Sequence, residues 1–369
     1  MAWIAVGVLG VALGAWQRWV AVEELPPDFD ELIYIPVAYD YARDMAPGRW
    51  GEIPAYRGNL EHPPLVKLMF ATELKATGAP EPNWKAVQFG SPLPPAARGA
   101  FRATRRLSWV AGVAQLAILA VEAPIAALGL AFSTYDAKFT AQAYLEAVPG
   151  LFAILAVVLF ERSVRKREAP AAPSCRVSFV LSAVLLGLAG AGKYPYALVV
   201  GLTVALFLVI RLRRRPAWWA AYVGIALLTL FVADPFLWPD PLHRIPESVG
   251  YHWGYSSSEQ VRLAGMPWFQ PVFWLTHAGP MMWHPGVFFT PLADWALLPL
   301  AVVGFGPALK RRPIWATWAA IGMAFLFLWP TKWPQYVLLV LPAIAVCAAT
   351  GVEALGARLM KALRWQRAD

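Results

Sequence analysis

Ten apolar runs, each close to the length of a bilayer crossing, leave this chain few choices of fold. They cover about 2–20, 107–121, 124–141, 146–161, 177–192, 194–210, 217–233, 293–309, 314–330 and 334–352. A hydrocarbon core is spanned by roughly 20 residues of helix. Backbone polar groups in lipid must bond within their own segment, so each run reads as helical. The third and fifth runs are short or broken by polar residues. Composition agrees: 59% of the chain is hydrophobic and 15% charged, against about 25% charged in soluble domains. The expected fold class is an all-α polytopic membrane protein of about ten transmembrane helices, forming one membrane domain over 1–369.

Orientation follows from the lysines and arginines, which favour the cytoplasmic side. One face collects Arg162, Arg165, Lys166, Arg167 and Arg176, then Arg211 and Arg213 to Arg215. It also collects Lys310 to Arg312, and Arg358, Lys361, Arg364 and Arg367. The short connections of the other face hold only Lys193, Arg244, Arg262 and Lys332. Both termini are therefore expected inside. A first outer loop is expected over 22–106 and a second over 234–292. The net charge of +9 belongs mostly to cytoplasmic flanks, which gives a nucleic-acid partner little support. The N-terminus has no basic region before its apolar run and is read as an uncleaved first span. Cys175 and Cys347 imply neither a disulfide nor a zinc framework. Richness in Ala, Arg and Pro agrees with a GC-rich prokaryotic genome, hence a plasma membrane location.

The first loop holds the residues that a passive anchor does not need. Asp30-Glu31 opens it. Thirty residues on comes Asn59-Leu60-Glu61-His62-Pro63-Pro64-Leu65-Val66-Lys67, short helices being expected around it. Asp30 also suits a helix N-cap, because roughly helical apolar spacing follows it. His62 is held extended by the prolines after it, and Lys67 falls in the first turns of a helix starting near Leu65. Lys193 and Lys332 lie between apolar segments, flanked by Pro and aromatics. They read either as snorkelling helix ends or as point charges for an anionic headgroup. Asp136 and Glu146 flank the fourth span, one as a surface cap and one facing the outer cavity. Trp238, Trp253, Trp268, Trp274 and Trp283 crowd the second loop as interfacial anchors, with one or two available to stack on a sugar.

These motifs resemble the polytopic GT-C glycosyltransferases, in the branch of the protein O-mannosyltransferases and the lipid A aminoarabinose transferase. The resemblance rests on Asp30-Glu31, on Asn59 to Lys67 with its Glu-His-Pro-Pro-Leu core, on Gly192-Lys193-Tyr194 and on Thr331-Lys332-Trp333-Pro334-Gln335-Tyr336. It covers nearly the whole length. It implies a GT-C-like fold and a sugar taken from a polyprenyl-phosphate carrier at the outer leaflet. The sugar goes to an extracytoplasmic protein, lipid or glycan hydroxyl, with inversion. It also implies Asp30 as the base and Glu31 as its assistant. Glu61 and His62 would shape the acceptor or headgroup pocket, and Lys193 and Lys332 would hold the phosphate. Arg102, Arg105 and Arg106 are alternative phosphate partners. Lys67, Tyr194 and Tyr336 complete the substrate-binding candidates. No cofactor is expected, although Asp28, Asp30, Glu31 and Glu61 offer oxygens for Mg²⁺ or Ca²⁺.

A positioned carboxylate contributes about 10²–10⁴-fold as a general base, and a leaving phosphate needs cations more than a proton. A retaining reaction would instead set a second carboxylate about 5 Å from the first, a part open to Glu61. Two other classes compete with a transferase. A transporter or flippase of a lipid-linked or anionic solute would show two related halves with matching broken helices, but the first loop has no counterpart in the second half. An inactive subunit would not need Asp30 and the Glu-His-Pro-Pro turn together.

Overall fold

The computed structural model describes residues 2–164, 173–277, 284, 287 and 291–365, and the regular structure among them is helical throughout. Helix α1 (Ala2–Glu24) leads into the first long connection. That connection is itself folded, into α2 (Glu31–Asp44), a 3-10 turn (Trp50–Ala55) and α3 (Leu65–Thr77). There follow α4 (Arg98–Glu122), α5 (Pro124–Ala131), α6 (Thr134–Phe139), α7 (Ala147–Val164), α8 (Pro173–Gly192), α9 (Tyr194–Leu212) and α10 (Pro216–Ala233). The second long connection carries α11 (Pro241–Ser256), α12 (Glu259–Ala264) and α13 (Gln270–Trp274). Helices α14 (Pro291–Arg311) and α15 (Pro313–Leu328), a 3-10 turn (Pro334–Leu339) and α16 (Leu341–Trp365) complete the chain. Arg165, Lys166, Arg167, Trp283 and Arg367 lie outside the described residues.

Among the described residues six helices, α1, α7, α8, α9, α10 and α16, are long and apolar enough to cross a membrane. The expected runs over 293–309 and 314–330 fall within α14 and α15, and the run over 107–121 is the second half of α4. Two expectations need correction. The run over 334–352 opens as a 3-10 turn, and its helix starts only at Leu341. The run over 124–141 is two short helices with a break at Phe132-Ser133. The reason lies in its charges. Asp136 turns inward onto Arg18 of α1 in a fully buried pair. Arg18 also donates to Thr140 Oγ1 at 2.8 Å and to the Leu130 carbonyl at 3.3 Å. Lys138 reaches Asp28 at 2.6 Å. A straight apolar helix would leave these groups in lipid, where each charge costs roughly 2.5–3.5 kcal/mol.

Helices joined by tight turns run antiparallel. The α8–α9 turn with Lys193 and the end of α10 therefore meet, and Tyr194 donates to Asp234 across them at 2.9 Å. The basic turns at Arg213–Arg215 and Arg311–Arg312 fall at the opposite end of α9 and α15. Prolines in the first turns of α9, α10 and α15 stand where a missing N–H costs nothing.

Helices α14 and α16 cross at backbone contact. A Cβ on Gly304 would strike the Cys347 carbonyl and the Gly351 backbone, and one on Gly351 would strike the Leu300 carbonyl. Small residues are what allows such an approach between apolar helices. We expect Gly351→Leu to cost at least the roughly 1–3 kcal/mol of an overpacked core, seen as a lower melting temperature in detergent. An unchanged melting temperature would contradict the close crossing.

Candidate active site

At the end of the bundle away from the basic turns, the two long connections enclose a cavity of about 790 Å³. Asp30, Glu61, His62, Lys193 and Tyr336 line it, as do Lys138, Tyr144, His252, Trp274, Trp333 and Gln335. Of the twelve candidate catalytic and substrate-binding residues, these first five are on its wall.

Asp30 occupies the N-cap position of α2, yet its side chain makes no capping bond. Glu31 does the local work instead, its Oε2 accepting the Asp28 N–H at 3.0 Å. The Asp30 carboxylate is left to the cavity. Its Oδ2 accepts from Gln335 Nε2 at 3.2 Å and Tyr34 Oη at 3.3 Å. Its Oδ1 has no hydrogen bond among the described residues. Burial, with the Glu146 charge adding to it, raises the Asp30 pKa to about 7. Asp30 therefore stands at the N-cap position without capping through its side chain, and it lines the cavity instead.

Glu31 is not on the cavity. It is fully buried against Arg105, with Nε to Oε1 and Nη2 to Oε2 both at 2.7 Å. It accepts from the Ala143 N–H at 2.8 Å as well. Arg105 in turn donates to the carbonyls of Val22, Leu25 and Pro26. This pair ties the end of α1, the start of α2, α4 and the stretch after α6 together. Both Glu31 oxygens and all three Arg105 nitrogens are engaged in these bonds, and neither side chain lines the cavity. Arg102 is exposed and paired with Glu23 at 2.6 Å, and Arg106 is exposed. Neither lines the cavity.

The Glu-His-Pro-Pro turn is built around Lys67. Its ammonium is buried and donates to the Asn59 carbonyl at 2.8 Å, Asn59 Oδ1 at 3.0 Å and the His62 carbonyl at 2.8 Å. Asn59 is held at φ 56°, a left-handed conformation that persists only where its surroundings fix it. Lys67 is thus a staple for the turn and not a cavity residue. Burial draws its pKa down, against the opposing pull of the Glu61 charge. The staple presents His62 to the cavity between Tyr34, at 5.9 Å between ring centroids, and His252, at 5.2 Å. Burial and the nearby Lys193 charge push the His62 pKa well down, so the ring is neutral at pH 7. Glu61 accepts from the Asn59 amide, and burial raises its pKa.

The two Pro-flanked lysines part company. Lys193 points to the cavity, paired with Glu146 and stacked 5.1 Å over the Tyr336 ring. Lys332 instead turns back to the carbonyls of Phe327, at 3.1 Å, and Trp329 at the end of α15, where orphan acceptors await a donor. Tyr194 is occupied by Asp234 and does not reach the cavity wall. Glu146 is buried behind the wall, paired with Lys193, and Asp136 is the one paired with Arg18.

Several wall residues escaped the sequence reading, Lys138, His252 and Gln335 among them. Lys138 sits in a run taken for a span, and a charge inside such a run was the available signal. His252 comes from α11, its Nε2 on the Glu61 carbonyl at 2.8 Å. Gln335 was quoted in a motif without a role. Among the loop tryptophans, Trp274 lines the cavity, while Trp238, Trp253 and Trp268 face outward. The four carboxylates that offered oxygens for a divalent cation have separate partners. Asp28 is on Lys138, Glu31 on Arg105 and Glu61 on Asn59. Among the described residues no three His, Cys, Asp or Glu side chains gather as metal ligands.

No protein-family model and no curated protein matches the sequence. The fold is shared with ArnT from Cupriavidus metallidurans, solved bound to undecaprenyl phosphate. The TM-score is 0.64 at 14% identity, and the match covers 94% of this chain and 60% of that one. This likeness is one of fold: the chain has an ArnT-like helical fold. The chain spans about 60% of the length of that neighbour.

Proposed function

We propose that the chain is a membrane glycosyltransferase that moves a sugar from a polyprenyl-phosphate carrier to an acceptor hydroxyl on the extracytoplasmic side. The observation that carries this reading is a single cavity of about 790 Å³ holding an oriented carboxylate, Asp30, with the Lys193 cation on the same wall. The fold, shared with a protein solved with undecaprenyl phosphate, supports the same class of donor.

In this mechanism Asp30 Oδ1 takes the proton of the acceptor hydroxyl. The acceptor oxygen forms its bond to the anomeric carbon, and the bond from that carbon to the phosphate oxygen breaks, its electrons leaving with the phosphate. Lys193 offsets that charge, and Lys138 is the second cation on the wall. Fixed cations at a developing charge act without reorganisation, which is where such sites gain most. Attack opposite the leaving phosphate inverts the anomeric centre. Neutral His62 and His252, with Trp274 and Trp333, offer faces and polar edges to the sugar.

The test uses membranes containing the full chain and a panel of polyprenyl-phosphate sugars labelled in the sugar. We expect label to leave one donor for a water-soluble, lipid or protein fraction, and the receiving fraction identifies the acceptor class. Saturable movement of an intact labelled donor across the bilayer, with no bond cleaved, would overturn the transferase reading.

A further inference from the structure

A second cavity, of about 860 Å³, lies at the other end of the bundle. It forms where the last turn of α9 and the turn into α10 face the turn between α14 and α15. Its charged lining is Arg211, Arg213, Arg214, Arg215 and Lys310, with no carboxylate. None of these five is ion-paired among the described residues. The nearby Glu353 is 3.6 Å from Arg311 instead.

The turns that carry these cations are fixed. The Arg215 N–H bonds the Leu212 carbonyl at 2.8 Å, Trp219 Nε1 bonds the same carbonyl at 3.0 Å, and Pro216 prevents α9 from continuing. The Arg312 N–H bonds the Ala308 carbonyl at 2.7 Å before Pro313 opens α15. Cations at helix C-termini are favourable singly, but five around one concavity repel one another unless an anion sits among them. The depth is that of a headgroup. Nineteen residues of α9 rise about 28 Å, close to the hydrocarbon thickness of about 30 Å. The rim is apolar and open, with Ile210 57% and Leu309 45% exposed. Leu198, Leu202 and Leu206 continue an exposed stripe along α9.

We propose that this basic cavity binds the headgroup of an anionic phospholipid, whose acyl chains lie along the exposed flank of α9. A soluble phosphate would use the cations and leave the stripe bare, whereas a lipid uses both. Basic pockets between membrane helices suit anionic headgroups on electrostatic grounds.

The test needs no transfer assay, so it stands apart from the proposed function. The purified full chain in neutral detergent is titrated with phosphatidylglycerol, phosphatidylcholine or inorganic phosphate, and followed by native mass spectrometry and thermal unfolding. We expect retained phosphatidylglycerol adducts and a raised melting temperature, since a ligand of the folded state stabilises it. Arg214→Gln/Lys310→Gln weakens that binding about tenfold or more. Arg358→Gln/Lys361→Gln, which removes two cations outside the cavity, leaves it unchanged. Equal weakening in both variants, equal binding of phosphatidylcholine, or saturation by inorganic phosphate with no gain from the acyl chains would each overturn the proposal.

Discussion

Asp30→Asn removes transfer and leaves a folded protein. The substitution keeps the size of the side chain and its bonds to Tyr34 and Gln335, but the amide cannot accept the hydroxyl proton. The loss expected for a missing general base is about 10²–10⁴-fold in rate. The pH dependence carries the same signature. Burial raises the Asp30 pKa from 3.8 to about 7, and only the ionised form acts as base. Activity should therefore fall as pH drops through about 7, approaching tenfold per unit below it. Stability runs the other way. A carboxyl whose pKa is raised on folding makes the folded chain bind more protons than the unfolded chain between those two values. Ionising it as pH rises is a cost to the fold. Asp30→Asn should thus melt no lower than wild type at pH 8 while being inactive there. Full transfer by this variant in the labelled-donor assay would remove Asp30 as the base.

Arg105→Met costs the fold far more than it costs the chemistry. Arg105 and Glu31 are both 0% exposed, and removing one partner of a buried pair strands the other, typically at about 3–5 kcal/mol. Glu31 would also lose the anchor that lets it hold the Asp28 N–H and, through it, the turn that carries Asp30. The double variant Arg105→Met/Glu31→Leu should regain part of the loss, because it leaves no bare charge. Glu31→Gln keeps the shape and should lower the melting temperature, while activity per folded molecule stays within a few-fold. A Glu31→Gln protein that melts normally yet does not turn over would return Glu31 to the chemistry.

What could be read in advance follows from what each signal measures. Hydropathy reports the cost of polar groups in lipid, so the long apolar helices were legible, and so was a folded polar connection after the first. Asp30 was singled out by the resemblance, since the residues alone suited a helix cap as well, and what the fold adds is its place on the cavity wall. Glu31 was not separable from it. Neighbours at a helix start point about 100° apart, and here one direction meets the cavity and the other meets α4. Arg105 showed as a cation near a span, but its partner lies 74 positions away, which no local pattern reports. Lys193 and Lys332 have the same surroundings in sequence. They differ only in what lies within reach, a buried acid for one and unsatisfied α15 carbonyls for the other. Lys138 was hidden because two short helices in succession carry the hydropathy of one long one.

The bond from Gln335 to Asp30 joins residues 305 positions apart, and that separation sets a timetable for biogenesis. At roughly 5–20 residues per second, Gln335 is synthesised about 15–60 s after Asp30. The Glu31–Arg105 pair needs only the first 105 residues, so the mount for Asp30 can lock early. The wall supplied by Lys193 and His252 arrives next, and the turn with Gln335 and Tyr336 arrives last. A ribosome that stops short of that turn releases a chain with its carboxylate already in place but without the Gln335 and Tyr336 side of the wall. The finished cavity therefore doubles as a record that synthesis and insertion passed Tyr336.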